Sequence, residues 1–242
     1  MSKIISFFRN NTGFLLFLAV LFLVRGSIID WHPVPTGSMK PTILEGDVIV
    51  QNKLAYDLQL PFTDISLMQT GQPERGDIVV FTSKESGKRL IKRLVGLPGE
   101  TIEVINDQIL INGDPSEYRK LPDNSPLIPP STPDRSAGIY VMEATDDMEE
   151  HIMIINDAKY NPHRNFAELK IPEQTYFFMG DNRDDSSDSR VYGVAPRSEL
   201  RGKAFGRMLS VRWSQEDSIP LWKRMFSGLN TPRWERFFSR LH

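Results

Sequence analysis

The sequence predicts a mainly β fold, with an N-terminal transmembrane helix, a β-sheet core domain, an inserted β-rich subdomain and a short amphipathic C-terminal helix. Three observations carry this expectation. Short β-branched runs separated by turn residues recur through the body of the chain. No long helical period occurs between Thr36 and Ser210. One continuous apolar run, Phe14 to Val24, stands near the N-terminus.

That run (FLLFLAVLFLV) follows Lys3 and Arg9, and apolar residues resume at Ile28, Ile29 and Trp31. Gly13 to Trp31 is therefore expected to cross a membrane, with Arg25 reaching for the interface. The alternative is a cleaved signal peptide, but Arg25 and two isoleucines stand where a small-residue cleavage site would fall. The upstream basic residues put the N-terminus in the cytoplasm and the rest of the chain outside.

Strands are expected at DVIVQ from Asp47, DIVVF from Asp77, LIKRLV from Leu90, IYVME from Ile139, HIMII from His151, TYFFMG from Thr175 and AFGRMLSVRW from Ala204. TIEV and QILI flank Asn106–Asp107 as a hairpin. Five prolines between Leu121 and Ser136 exclude a central strand there. Thr231 and Pro232 read as the start of a helix with Trp234, Phe237, Phe238 and Leu241 on one face, and Trp222, Met225, Phe226 and Leu229 repeat the pattern. Such a basic amphipathic helix fits a membrane surface or the protein's own core equally. The division that follows is 1–31 for the cytoplasmic N-terminus and anchor, 32–102 with 171–214 for the core, 103–170 for the insertion, and 215–242 for the amphipathic basic segment.

Composition limits the function. A net charge of −2 over 242 residues is not that of a nucleic-acid binder. With 40% hydrophobic residues the chain has enough apolar material for a sizeable core. The absence of cysteine excludes thiol catalysis, disulfides and cysteine metal sites. No H-E-x-x-H motif or glycine-rich phosphate loop is present, and the four histidines lie in unrelated contexts.

Three segments carry candidate chemistry. PTGSMKPT, Pro35 to Thr42, presents Ser38 in a proline-bounded turn, which by composition alone is an ordinary turn. LIKRLVGLPGE, from Leu90, places Lys92 on one strand face with Leu90 and Leu94. A lysine there is either solvated or buried, and a buried one loses its proton readily enough to act as a general base. GDNRDDSSDSR, Gly180 to Arg190, mixes four aspartates with two arginines, as an ion-paired loop would. As a calcium loop starting at Asp184 it fails, because Ser189 and Ala195 occupy the glycine and glutamate positions. Without cysteine or a persuasive histidine, a serine nucleophile needs another base, and Lys92 is the candidate.

In order and spacing these segments resemble the serine, lysine and last signature boxes of the bacterial type I signal peptidases, membrane serine proteases with a Ser/Lys dyad. The resemblance implies Ser38 as nucleophile and neutral Lys92 as general base. It implies an oxyanion hole from the Thr36 hydroxyl and the Ser38 backbone N–H, with Thr standing where the family has Ser. Ser186 would orient the lysine, while the pairs Asp181–Arg93 and Asp188–Arg190 would support the dyad. Asp185 departs from a more usual Asn. The implied partners are preprotein signal peptides, cut after small-x-small (Ala-x-Ala-like) sites, together with the lipid bilayer and the neighbourhood of the export machinery. No cofactor, metal or nucleic acid is implied. The implied location is the bacterial inner membrane, single-pass, with the catalytic core domain on the outer (periplasmic) face. Two alternatives remain: a narrow-specificity Ser/Lys peptidase maturing one exported protein, and a non-catalytic membrane-anchored β-domain.

Overall fold

The computed structural model describes residues 11–128, 130, 138–145, 147–155, 164–212, 223 and 232–241. Helix α1 (Thr12–Ser27) opens the described chain. Phe14, Leu16, Phe17, Val20, Leu21, Phe22 and Leu23 are exposed, while Leu15, Leu18 and Val24 are half-buried. No helix among the described residues is long and apolar enough to cross a membrane. The expected span from Gly13 to Trp31 is thus corrected. Sixteen residues make a helix of about 24 Å, at ~1.5 Å per residue. The chain then becomes strand β1 (Ile29–Pro33), which pairs antiparallel with β2 (Asp47–Asn52) from Ile29↔Asn52 to Pro33↔Val48. Two bonds fix this change. Lys53 donates its backbone N–H to the Ile28 carbonyl, and its ammonium to that of Gly26.

The following strands are β3 (Asp57–Gln59), β4 (Ser66–Gln69), β5 (Ile78–Ser83), β6 (Lys88–Gly96), β7 (Thr101–Ile105), β8 (Gln108–Ile111), β9 (Asp114–Pro115) and β10 (Glu117–Lys120). After them come β11 (Ile139–Thr145), β12 (Met148–Ile155), β13 (Phe166–Lys170) and β14 (Thr175–Met179). Helix α2 (Ser189–Tyr192) is one turn, followed by β15 (Ala195–Pro196), β16 (Leu200–Ser210) and β17 (Ser239–Arg240). The main sheet runs β1-β2-β16-β5-β6-β14-β15, with β17 added to β16. Smaller sheets are β10-β11-β12, β13-β7-β8-β9 and the hairpin β3-β4.

β5 is buried on both faces, so its apolar residues are continuous rather than alternating with polar ones. Val79 and Phe81 pack with Leu94 and Phe178 in one cluster, while Ile78 and Val80 pack with Met39, Ile43 and Ile49 in another. Between β7 and β8, Asn106 and Asp107 both take positive φ, the geometry of a type I′ turn.

The C-terminus is a second correction. In place of an amphipathic helix, the described residues form a single 3₁₀ turn (Trp234–Arg236) and then β17. Phe238, at φ 49°, breaks any helical path. Arg236 and Arg233 are buried, and Arg236 Nη2 lies 2.6 Å from Oδ2 of the buried Asp47. Leu241 joins the second core cluster. Two arginines drawn inward to one carboxylate thus override the apolar periodicity. Thr231 and the earlier apolar set from Trp222 to Leu229 lie outside the described residues.

Candidate active site

Ser38 sits in the turn between β1 and β2. That turn is closed locally, with Lys40 N–H donating to the Gly37 carbonyl and Ile43 N–H to that of Met39. Lys92 extends from β6, opposite Val79 of β5, and is only 3% exposed. Its Nζ lies 2.6 Å from Ser38 Oγ and 3.1 Å from the Ile91 carbonyl. Burial among the sheet's apolar residues lowers its pKa to about 8, against the pull of Asp188 and Asp181 in the other direction. The geometry and the lowered pKa suit transfer of the hydroxyl proton to a neutral amine.

The loop after β14 holds this pair from below. Asp181 is fully buried and takes two hydrogen bonds of 2.8 Å from Arg93, the residue next to Lys92. Thr42, on the Ser38 side, donates its hydroxyl to the same carboxylate at 2.5 Å. Burial alone would raise the Asp181 carboxyl, but Arg93 outweighs it and holds the pKa below the usual range. Asp188 is bonded by Arg190 Nε at 2.9 Å and Nη2 at 2.8 Å, and by the Gly180 N–H at 3.0 Å. Burial again pushes this carboxyl up, and the Arg190 contacts bring it below its ordinary value. Ser186 is buried beside Asp188 and lines the same cleft as Lys92, but no hydrogen bond joins the two. Thr36 is exposed on the cleft rim next to Ser38.

Ser38, Lys92, Thr36, Leu90 and Ser186 open onto a cleft of about 520 Å³. An adjoining cavity of about 320 Å³ is walled by Val34, Met39, Ile43, Val80 and Ile91.

The match to known proteins covers nearly all of this framework. A sequence model of the family "Signal peptidase, peptidase S26" matches residues 9–209. The chain belongs to this family. Signal peptidase I of Rickettsia felis is 34% identical over 95% of this chain and 91% of its own. Signal peptidase I of Pseudomonas aeruginosa is 32% identical over 86% of this chain and 76% of its own. A crystal structure of a signal peptidase I from Enterococcus faecalis is 28% identical, covering 55% of this chain and 96% of that one, with a TM-score of 0.33. Cleavage of signal peptides by an S26 peptidase is thus the activity of this chain's family.

In this signal peptidase, several structurally prominent residues escaped sequence reasoning. Asn182 clamps the serine turn, its N–H donating to the Ser38 carbonyl and its Nδ2 to that of Gly37, both at 3.1 Å. Gly180 permits the approach, since a Cβ there would stand 2.3 Å from both the Ser38 carbonyl oxygen and Ser186 Oγ. Arg183 is wholly buried against Glu143 of β11, which also accepts a 2.6 Å bond from Tyr118. Arg183 was marked in the sequence as an ion-pairing arginine of the polar loop but not its partner Glu143, and Gly180 and Asn182 were marked only by lying in that segment.

Proposed function

We propose that Ser38 is the nucleophile and Lys92 the general base of a membrane-bound signal peptidase that cuts preproteins after small-x-small sites. The carrying observation is the buried Nζ of Lys92, 2.6 Å from Ser38 Oγ. The neutral amine takes the hydroxyl proton as oxygen attacks the scissile carbonyl, then returns it to the leaving amine. The Ser38 N–H and the Thr36 hydroxyl receive the oxyanion. Ser186 and the pairs Asp181–Arg93 and Asp188–Arg190 hold the reacting groups in register. The cavity behind Ser38 takes the side chain before the cut against its apolar walls, Val34, Met39, Ile43, Val80 and Ile91, with Lys88 and Arg89 also lining it.

The membrane reading rests on α1, most of whose apolar side chains are exposed, as they would be in lipid. On this reading the basic residues ahead of it favour a cytoplasmic N-terminus and a catalytic body on the outer face of the bacterial inner membrane.

The test is cleavage of a purified preprotein in detergent by wild type, Ser38→Ala and Lys92→Ala, with the product N-terminus sequenced. Wild type should cut after a small-x-small site, and both variants should be inert. Activity retained by Lys92→Ala would dismiss the lysine as base.

A further inference from the structure

A third cavity, of about 260 Å³, lies where α1 ends against the sheet. It is walled by Arg25 and Gly26 of the helix end, Lys53, Gln59, Arg89 and Arg201, with Asp30 and Asp64 at its side. Four cations therefore meet two carboxylates. Arg25 is 3.4 Å from Asp30, and Arg201 is 3.0 Å from Asp64. Lys53 and Arg89 have no carboxylate partner among the described residues. Lys53 spends one donor on the Gly26 carbonyl, at 2.5 Å, and burial lowers its pKa, so an anion beside it would be welcome. Gln59 is 3% exposed, yet its Oε1 accepts no hydrogen bond among the described residues. A buried amide oxygen without a donor is costly, and a ligand hydroxyl or amine would supply one.

The rim of the cavity has the opposite character. Phe22 of α1 stands edge-on to Phe62 with ring centroids 6.3 Å apart, and Phe62 is 68% exposed. Leu60, Ile65, Leu67 and Met68 are exposed on the same hairpin. The ligand that fits is therefore an amphiphile, with an anionic and hydrogen-bonding head and an apolar tail.

We infer that this cavity binds a phospholipid headgroup, its phosphate held by Lys53 and Arg89, a head hydroxyl or amine donating to Gln59, and its acyl chains lying against Phe22 and Phe62. The inference rests on the reading that α1 lies in lipid, because that places the cavity mouth at headgroup depth. Arg89 stands on β6, three residues before Lys92, so an occupied site would bear on the strand that carries the base.

The test uses full-length protein in detergent micelles and isothermal titration with three probes: dihexanoylphosphatidylglycerol, dihexanoylglycerol and inorganic phosphate. The phospholipid should bind saturably at one site, and both other probes at least tenfold more weakly. Arg89→Gln and Lys53→Gln should each weaken phospholipid binding at least tenfold, with melting curves confirming that each variant folds. Arg89 is exposed, so its loss leaves the core intact. Binding unchanged in both variants overturns the inference. Inorganic phosphate binding as tightly as the phospholipid overturns the lipid assignment in favour of a free anion. Flotation of the wild type with vesicles checks the membrane reading separately, and its failure leaves the micelle titration interpretable.

Discussion

Lys92 occupies a place in β6 that would suit a leucine, and its charge is expensive there. With its pKa lowered to about 8, activity requiring the neutral amine should fall about tenfold per pH unit below that value, to ~1% of the plateau near pH 6. A pH–rate profile flat from 6 to 9 would remove Lys92 as the titrating base. The same shift sets a stability relation. The unfolded lysine keeps its proton up to about pH 10.4, so the folded state gains stability as pH rises from 8 to 10.5 and carries the full cost below 8. Lys92→Met should be more stable than wild type at pH 7 by roughly 2–3 kcal/mol, and urea titrations at pH 7 and pH 10.5 should show that difference shrinking. Asn182→Ala removes the side-chain hydrogen bond to the Gly37 carbonyl and keeps the backbone bond to Ser38, a loss of about 1 kcal/mol. Its signature should be a lower kcat with KM little changed. The serine and lysine were legible because each sits in a distinctive string of neighbours. Asn182 was not, since its work is done on backbone carbonyls 144 and 145 positions away in the chain.

Among elements, the strands with continuous β-branched sequence were the ones to be read: β2, β5, β6, β11, β12 and β14 all fall on such runs. The short or polar strands β1, β3, β4, β9, β10, β13 and β15 were invisible, because their pairing depends on where partners lie rather than on their own residues. The C-terminus misled for a related reason. Its apolar spacing is helical, but the energy lies in Arg233 and Arg236 reaching Asp47, which periodicity does not register. Arg236 Nη2 also donates to the Thr42 carbonyl, and Thr42 in turn bonds Asp181, so this segment braces the serine turn from behind. Arg236→Ala leaves Asp47 with a weakened partner set in a dry site. It should cost about 3 kcal/mol or more, read as a lower denaturation midpoint, with lost activity at temperatures where the fold survives. Wild-type activity and stability in this variant would show that the segment is merely attached.

On the scale of the molecule, the loop from Gly180 to Arg190 is a junction. It faces the serine turn on one side and β12 on the other, where Ile154 exchanges backbone bonds with Asp181 and Arg183. Arg183 continues inward to Glu143, and His151 Nε2 lies 3.1 Å from the same carboxylate. Burial keeps His151 below its ordinary pKa, with Arg93 adding to the effect. The unfolded chain therefore takes up a proton near pH 6.5 that the fold refuses, and stability falls as pH drops below that point. His151→Gln should flatten the decline in melting temperature between pH 6.5 and pH 5, and an unaltered slope would assign the acid sensitivity elsewhere.

The passage from α1 into β1 has a consequence for what such an enzyme can reach. Ser27 ends the helix and Ser38 follows eleven residues later, with five of those between locked to β2. No slack remains to raise or lower the serine, which stands at most ~40 Å from the helix end even if the link were fully stretched. With α1 in lipid and Ser38 as nucleophile, as proposed, the protein would act as a caliper, one jaw in the apolar layer and the other at the cut. A substrate would then be measured by how far its scissile bond stands from its own greasy stretch before any side chain is inspected.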